Sequence, residues 1–390
     1  MNHTLPVRDG TAQLPRMDSL RAVGAALVLL AHVIGHAVRH RLDVPAPIVL
    51  EPLYRATQIG PFLLFGLSGY LLYLPFVRRD LGAGAPVDLR RYALNRATRI
   101  LPVYVVSVVV LLWLSGTATP RAFLVYLTFG GNFVAHPNEQ VNRVLWTVVV
   151  EAQFYLVLPL LAALIGWFAR GSHRRAAGLI VALGVVSAVL AAAWPDDPGG
   201  GGPGWRLSLL TTFAHLAVGM LLAVLRHGWP RLPAALRTGP LGSATAWIAA
   251  GLAAWVGLLV VARLAIPSTG ALAAIVVIDL LLLGGCLLPV REGRIVRVLD
   301  ARPLAAIGVV SYSLYAWHDP ILREIASWNL AGGLLGLLAI GLPACAAVSV
   351  ASYLLVERPG KALRRLRSPV RPRPSPRPRR SPRKELPCPS

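Results

Sequence analysis

At 390 residues the chain is long enough for two or three soluble domains, but 55% of its residues are hydrophobic, only 14% are charged and its mean hydropathy is +0.61. Apolar runs of membrane-spanning length recur from end to end, which excludes a soluble fold and predicts a polytopic all-α membrane protein. The formal net charge of +22 would suggest nucleic acid in a soluble protein. Here eleven basic residues from Lys361 onward, against Glu385 alone, supply ten of those charges, so we expect no nucleic-acid partner.

About ten helices long enough to cross a membrane follow one another, since roughly 20 apolar residues span 30 Å of hydrocarbon. The first apolar run exceeds the core of a secretory signal and has no convincing cleavage site, so we interpret it as a retained helix. The weaker stretch from Ala122 to Val134 is too short to span and is predicted to be re-entrant or interfacial. The ten helices are predicted at residues 17 to 38, 57 to 77, 98 to 115, 145 to 167, 176 to 194, 207 to 226, 241 to 262, 271 to 290, 305 to 325 and 331 to 356.

The distribution of arginine predicts which loops face the cytoplasm. With the N-terminus inside, the inner segments hold 17 arginines before the tail is counted and the outer loops hold 7. Because cytoplasmic loops are enriched in Lys and Arg, both termini are predicted to be cytoplasmic. The chain then divides into an N-terminal segment at 1–16, a membrane domain at 17–360 and a basic tail at 361–390. The tail, rich in Arg, Pro and Ser, is predicted to be disordered and to lie against anionic lipid.

One loop and three cysteines are also informative. Residues 194 to 205, with a Gly/Pro cluster, are predicted to form a flexible outer loop. Cys286, Cys345 and Cys388 show neither a paired nor a metal-binding spacing. We therefore predict no metal site.

The first predicted helix carries an arginine and a histidine eleven residues apart, Arg21 and His32. Eleven residues are close to three helical turns, so the two side chains share one face and lie about 16 Å apart along the axis. They can serve the two ends of one elongated ligand. The alternative is that Arg21 is a topological anchor and that His32 lies in the headgroup layer.

Five ionisable residues on five predicted helices lie at a similar depth, roughly 9 to 12 Å below the outer edge of the hydrocarbon. A charge that faces lipid costs a few kcal/mol, so we predict that these residues share a polar cavity. His215 is explained as well by a hydrogen bond to a neighbouring helix, and His318 by a place in the interfacial aromatic belt. The five residues are His32, Glu151, His215, Asp279 and His318.

At the inner face, Arg96 and Arg99 lie one helical turn apart. Guanidinium pairs suit phosphate because each presents a rigid fork of donors, although topology alone would also place arginines there. Ser68 and Gly69 are first interpreted as small residues that permit close helix packing. Glu357, at an inner helix end, is predicted to form a structural ion pair.

Six motifs occur in one order over nearly the whole membrane region. With them the chain resembles the acyltransferase 3 family of integral membrane acyltransferases. The departures are small: Gly66 and Tyr70 replace the family's more common residues, and Glu151 lacks the usual extra acid after it. The motifs are Arg21 with ten residues before His32; Phe65 to Tyr70; Arg96-Ala97-Thr98-Arg99 with Pro102 and Tyr104; Trp146 to Tyr155 around Glu151; Ser311 to Pro320; and Ser352-Tyr353 ahead of Glu357-Arg358-Pro359.

The resemblance implies acyl transfer from acyl-CoA, or a similar cytoplasmic donor, to a hydroxyl group. We expect a short acyl group such as acetyl from acetyl-CoA, an acceptor that is a sugar, glycolipid or secondary metabolite, and no permanently bound cofactor. Richness in Arg and Ala hints at a high-GC bacterium, so the expected location is the bacterial cell membrane.

The resemblance also assigns roles to particular residues. It implies that His32 is the catalytic histidine, and Arg21, Arg96 and Arg99 are expected to recognise the donor. Neutral imidazole, with a pKa near 6.5, suits a general base, and Glu151 is predicted to orient it as in a triad. Whether His32 acts as the base or carries the acyl group itself stays open. Supporting roles are expected for Ser68, Tyr312, His318 and Asp279.

Two other classes of protein would account for part of this pattern. A secondary transporter would use the intramembrane His, Glu and Asp residues as a proton relay, but neither repeated halves nor paired Gly/Pro-broken helices are evident. A scaffold that binds lipid or nucleic acid through its tail explains the charge but not the polar layer. The sequence therefore favours the enzyme.

Overall fold

The computed structural model describes residues 15–42, 47–82, 84–133, 141–193, 207–262, 268–288, 290–328 and 332–366. Within these ranges the regular structure is helical, apart from one β-bridge between Ser243 and Arg291. The all-α prediction is therefore confirmed. The predicted outer loop at 194 to 205 lies outside the described residues.

Fifteen α-helices occupy the described ranges, and ten of them are at least 19 residues long. A π-helical turn, Tyr353–Glu357, joins the last two. The helices are α1 Pro15–Arg39, α2 Pro47–Thr57, α3 Gly60–Leu81, α4 Leu89–Leu114, α5 Pro120–Leu127, α6 Leu145–Ala169, α7 His173–Ala193, α8 Leu209–Gly228, α9 Ala234–Thr238, α10 Ala244–Ala262, α11 Ser268–Leu287, α12 Arg294–Val298, α13 Arg302–Ser327, α14 Gly333–Ser352 and α15 Arg358–Leu366.

Each predicted helix corresponds to one of the ten long helices, with its ends shifted. The largest shift is at α4, which begins at Leu89 rather than at residue 98. Asp88 caps it, because its carboxylate accepts a hydrogen bond from the backbone N–H of Arg91 at 3.0 Å. This first part of α4 carries arginines, so it does not belong to the apolar run from which the helix was predicted. The short helices α2, α9 and α12 were not predicted.

Eight helices in the described part of the chain are long and apolar enough to cross a membrane. These eight include α1, α3, α4, α6, α7, α8, α10 and α14. Helix α11 contributes a shorter apolar stretch, Ala273–Leu287, and α13 carries several charged residues. The structure thus supports a multi-pass membrane protein with eight membrane-spanning candidates among the described residues, and the count of about ten stays a prediction.

Glycines set the closest helix contacts. A Cβ atom on Gly219 of α8 would lie 1.8 Å from the carbonyl oxygen of Gly66 on α3, and one on Gly69 would lie 2.1 Å from that of Leu216. Such approaches are possible only for glycine, so the predicted packing role of Gly69 is confirmed. Gly308 does the same for α13 against α1, where a Cβ would lie 1.8 Å from the carbonyl oxygen of Asp18. Helices α1, α3, α8 and α13 therefore form the inner part of the bundle.

An ion pair joins the π-helical turn to α15. Glu357 is 2% exposed and lies 2.5 Å from the ammonium of Lys361, and it accepts a hydrogen bond from Ser313 at 2.9 Å. The predicted structural ion pair is therefore present. Helix α15 continues to Leu366, six residues into the predicted tail, so the helical part of the chain ends later than expected. The rest of that tail lies outside the described residues.

The stretch from Ala122 to Val134 contains most of α5, which is eight residues long and spans roughly 12 Å. A short 3₁₀ turn, Gly131–Phe133, follows it. The stretch is too short to cross a bilayer, as expected. A re-entrant or interfacial location stays a prediction.

Candidate active site

A partly open cavity lies between α1, α3, α4, α6 and α13, with about 610 Å³ of empty space that includes open solvent at its mouth. Apolar side chains from α1 and α3, among them Ala25 and Phe65, form part of its wall. Residues far apart in sequence thus meet on the walls of one space. Five of the predicted site residues line it: Arg21, Ser68, Arg99, Glu151 and Tyr312.

The cavity is positively charged on one side. Arg21 lies 2.5 Å from the carboxylate of Asp18, which neutralises it in part. Arg99, close enough to repel Arg21, has no carboxylate partner among the described residues. Arg96 lies beside the cavity, with its guanidinium 5.7 Å from the centre of the Tyr155 ring and 5.9 Å from that of Tyr92. Its buried Nε has no hydrogen-bond partner in the described part of the chain.

Glu151 faces this cationic side. Its Oε1 accepts hydrogen bonds from Ser68 at 2.8 Å and from Tyr155 at 2.7 Å. Ser68 thus does more than permit packing, because its hydroxyl holds the carboxylate. The predicted pairing of Glu151 with His32 is wrong in this structure, since among the described residues the carboxylate that lies within 4.0 Å of His32 belongs to Asp319.

Three histidines and one aspartate form a second group, which we call the histidine cluster: His32, His36, His318 and Asp319. Nδ1 of His32 lies 2.9 Å from the carbonyl oxygen of Val28. A carbonyl only accepts, so in neutral His32 the proton is on Nδ1 and the lone pair is on Nε2. That Nε2 lies 4.0 Å from Oδ1 of Asp319.

Asp319 is held from two sides. Its Oδ1 lies 2.9 Å from Nε2 of His36, and its Oδ2 accepts the backbone N–H of Arg143 at 3.3 Å. The ring of His318 meets the ring of His32 edge to face, with 4.8 Å between their centres. The predicted catalytic histidine is therefore surrounded by groups that fix its position.

Sequence reasoning missed two members of this cluster. His36 follows His32 by one helical turn on the same face of α1, and Asp319 adjoins His318 in the Ser311–Pro320 motif. The first spacing was a usable signal. The contact between α1 and α13 was not readable from either helix alone.

The cavity and the histidine cluster are adjacent but distinct. His32 and His318 are not among the residues that line the cavity. Tyr315, which does line it, has its ring centre 5.6 Å from that of His318, and its hydroxyl accepts a hydrogen bond from Thr147 at 2.7 Å. Tyr315 thus connects the wall of the cavity to His318, a member of the histidine cluster.

Asp279 lies in a third group. It is fully buried and 2.8 Å from Nδ1 of His215. The ring of His215 stacks on that of Phe62, with 4.1 Å between the ring centres. Neither residue of this pair lines the cavity. The prediction that five ionisable residues share one cavity is therefore wrong: they divide among the cavity, the histidine cluster and this pair. Opposite partners on neighbouring helices, rather than a common cavity, avoid the cost of isolated charges.

Helices with apolar outer faces, and ionisable side chains satisfied inside the bundle, define an integral membrane protein with an intramembrane polar site. The sequence profile of the acyltransferase domain of the acyltransferase 3 family matches residues 14–357. The chain belongs to this family.

A curated relative is consistent with that membership. The chain is 27% identical over 375 residues, which cover 88% of this chain and 82% of the relative, to the "Putative membrane-bound transacylase BcsY" of Komagataeibacter xylinus. No solved structure matches the chain. The protein is therefore a membrane acyltransferase, and the transporter hypothesis is not favoured.

Proposed function

We propose that the protein moves a short acyl group, such as acetyl, from cytoplasmic acyl-CoA to a hydroxyl group of a sugar, glycolipid or secondary metabolite, a reaction of class EC 2.3.1. The observation that carries this proposal is the cavity in which Arg21 and Arg99 meet beside Arg96. Two of these guanidinium groups have no carboxylate partner among the described residues. The phosphates of CoA would supply the missing negative charge.

The donor would enter with its nucleotide phosphates against these arginines. Its narrow pantetheine arm would follow the cavity wall along α1 past Ala25 toward Tyr315. The span from Arg21 to His32 along α1 is about 16 Å, a length that suits an elongated ligand better than a compact one.

His32 would act as the general base. Its Nε2 takes the proton of the acceptor hydroxyl while that oxygen forms a bond to the thioester carbon. The carbon–sulfur bond then breaks, and the proton on His32 passes to the leaving sulfur to give the free thiol of CoA. His32 suits this role because its side chain is 27% exposed, whereas those of His36 and Asp319 are at most 2% exposed.

We infer that α11 and α13 cross the membrane with the eight candidates, for a total of ten, and that both termini are cytoplasmic. Arg96 and Arg99 would then lie at the inner boundary, on the side where acyl-CoA is made, and His32 toward the outer face. The expected location is the bacterial cell membrane, with anionic lipid against the basic C-terminal residues.

The test uses the purified, detergent-solubilised protein, acetyl-CoA and a panel of hydroxylated acceptors. Both the free CoA thiol and the acylated product are measured, for the native protein and for His32→Ala. We expect turnover that depends on the acceptor and that disappears in His32→Ala, while His40→Gln, a control on the same segment, keeps it. Turnover in a folded His32→Ala would remove His32 from the chemistry, and a native protein inactive with every acyl-CoA would refute the donor.

A further inference from the structure

Asp319 occupies the position next to Nε2 of His32 that sequence reasoning assigned to Glu151. We propose that Asp319 is the positioning residue of the reaction: it stabilises the His32 imidazolium as the acceptor proton arrives, and His36 holds it in place. This inference rests on the proposed function and deepens it, because it names the charge that makes His32 an effective base.

The hydrogen bond from His32 to Val28 sets the tautomer of His32. Val28 fixes the proton of the neutral ring on Nδ1, so the nitrogen that accepts a further proton is Nε2. That nitrogen is the one that lies 4.0 Å from Oδ1 of Asp319. The positive charge therefore develops 4.0 Å from a carboxylate, which stabilises it electrostatically while the new N–H stays available to the leaving sulfur.

Hydrogen bonds hold the carboxylate of Asp319 in place. One oxygen receives His36 and the other receives the backbone N–H of Arg143, so the carboxylate is anchored on both sides. Its side chain is 0% exposed and water does not screen it. A preorganised charge in such a place acts on the transition state without reorganisation. His36, 2% exposed, acts as its tether.

Asp319 supplies the negative charge of the histidine cluster. Asp319 is the only acid within 4.0 Å of a histidine of this cluster in the part of the chain that the structure describes. His318 carries its proton on Nδ1, which contacts the carbonyl oxygens of Leu314 and Tyr315, and its buried Nε2 has no partner there. His318 therefore supports the ring of His32 sterically and supplies no negative charge.

The experiment compares Asp319→Asn with Asp319→Glu. Asn has the shape of Asp, and its one amide oxygen can still accept from His36 although its amide nitrogen cannot accept the backbone N–H of Arg143, so a role limited to holding His36 would survive the change. An electrostatic role would not. We expect Asp319→Asn to lower kcat on the order of 100-fold with KM for acetyl-CoA and for the acceptor within about threefold. Asp319→Glu should recover at least about a tenth of the native kcat, because it restores the charge.

Asp80→Asn is the matched control, since Asp80 is a half-buried carboxylate that pairs with Arg79 and is absent from the cavity and from the cluster. It should keep native kcat. Any residual turnover that His32→Ala retains should not fall further when Asp319→Asn is added, because both residues act in one step.

Four outcomes decide the proposal. A folded Asp319→Asn with native kcat would overturn it while leaving His32 and the donor assignment intact. An equal loss from Asp319→Asn in the presence and absence of His32 would overturn it too. If Asp319→Asn does not fold, the kcat of Asp319→Glu decides alone. A kcat of at least about a tenth of the native value supports the proposal, and a kcat as low as that of His32→Ala overturns it. Failure of the proposed function is separate, since the native protein itself would then be inactive with acyl-CoA.

Discussion

The donor site is tested most directly by the replacement of Arg99 with alanine. Arg99 lines the cavity and has no carboxylate partner among the described residues, so its removal leaves no acid unpaired. Two unit charges 4 Å apart interact by about 4 kcal/mol at an effective dielectric constant of about 20. Because Arg99 is only half-buried, the net value of a charge-assisted hydrogen bond, about 1.5–3 kcal/mol, is the better measure. This corresponds to a rise in KM for acetyl-CoA of roughly 10- to 150-fold.

The kcat of Arg99→Ala should change by less than about threefold. A phosphate far from the reacting carbon is bound equally in the ground state and in the transition state, so its contact affects KM alone. The assay follows release of the CoA thiol at varied acetyl-CoA and saturating acceptor. Arg99→Lys should recover part of the loss, because it restores the charge without the fork of donors.

A second donor makes this test specific. Acetyl-pantetheine carries the thioester arm but lacks the nucleotide and its phosphates, so Arg99→Ala and the native protein should use it equally well. Arg91→Ala, an exposed arginine on the same helix, is the matched control and should keep the native KM. An Arg99→Ala protein with a native KM for acetyl-CoA, or with equal losses for both donors, would refute the assignment of Arg99 to the phosphates.

Three other changes separate the groups that the structure distinguishes. Glu151→Gln should lower turnover with a small change in melting temperature, because the cavity loses a negative charge while the Gln oxygen still accepts from Ser68 and Tyr155; native kinetics would remove Glu151 from the site. Ala25→Leu places a larger side chain on the cavity wall and so narrows the cavity. It should raise KM for acyl-CoA severalfold, more for longer acyl chains; an unchanged KM would mean that the donor does not follow this wall. Asp279→Leu leaves His215 unpaired, at a cost of about 1–3 kcal/mol, and should lower the melting temperature in detergent while KM for acyl-CoA stays native.

The sequence predicted the arginine and glutamate residues that line the cavity. Motifs on separate helices pointed to Arg21, Arg99 and Glu151, and the structure brings all three to one space. Each such residue is ionisable and lies in or next to an apolar helix. The free-energy cost of an ionisable group at such a place makes it conspicuous in the sequence. The partner of Glu151 was assigned wrongly because depth along a helix says nothing about rotation about its axis. Ser68 and Tyr155, rather than His32, lie on the side that Glu151 faces.

Local composition accounts for what the sequence by itself determined: a helical membrane protein, its ten long helices and its candidate polar residues. Hydrophobic runs and their lengths carry that information, because each helix satisfies its own backbone hydrogen bonds. Only the tertiary structure decided which polar groups meet. The contact of α13 with α1, made possible by Gly308, brings Asp319 to His32 and His36, and the contact between α8 and α11 pairs His215 with Asp279. These pairings depend on helix rotation and on packing between helices far apart in sequence, which no single stretch of the chain encodes.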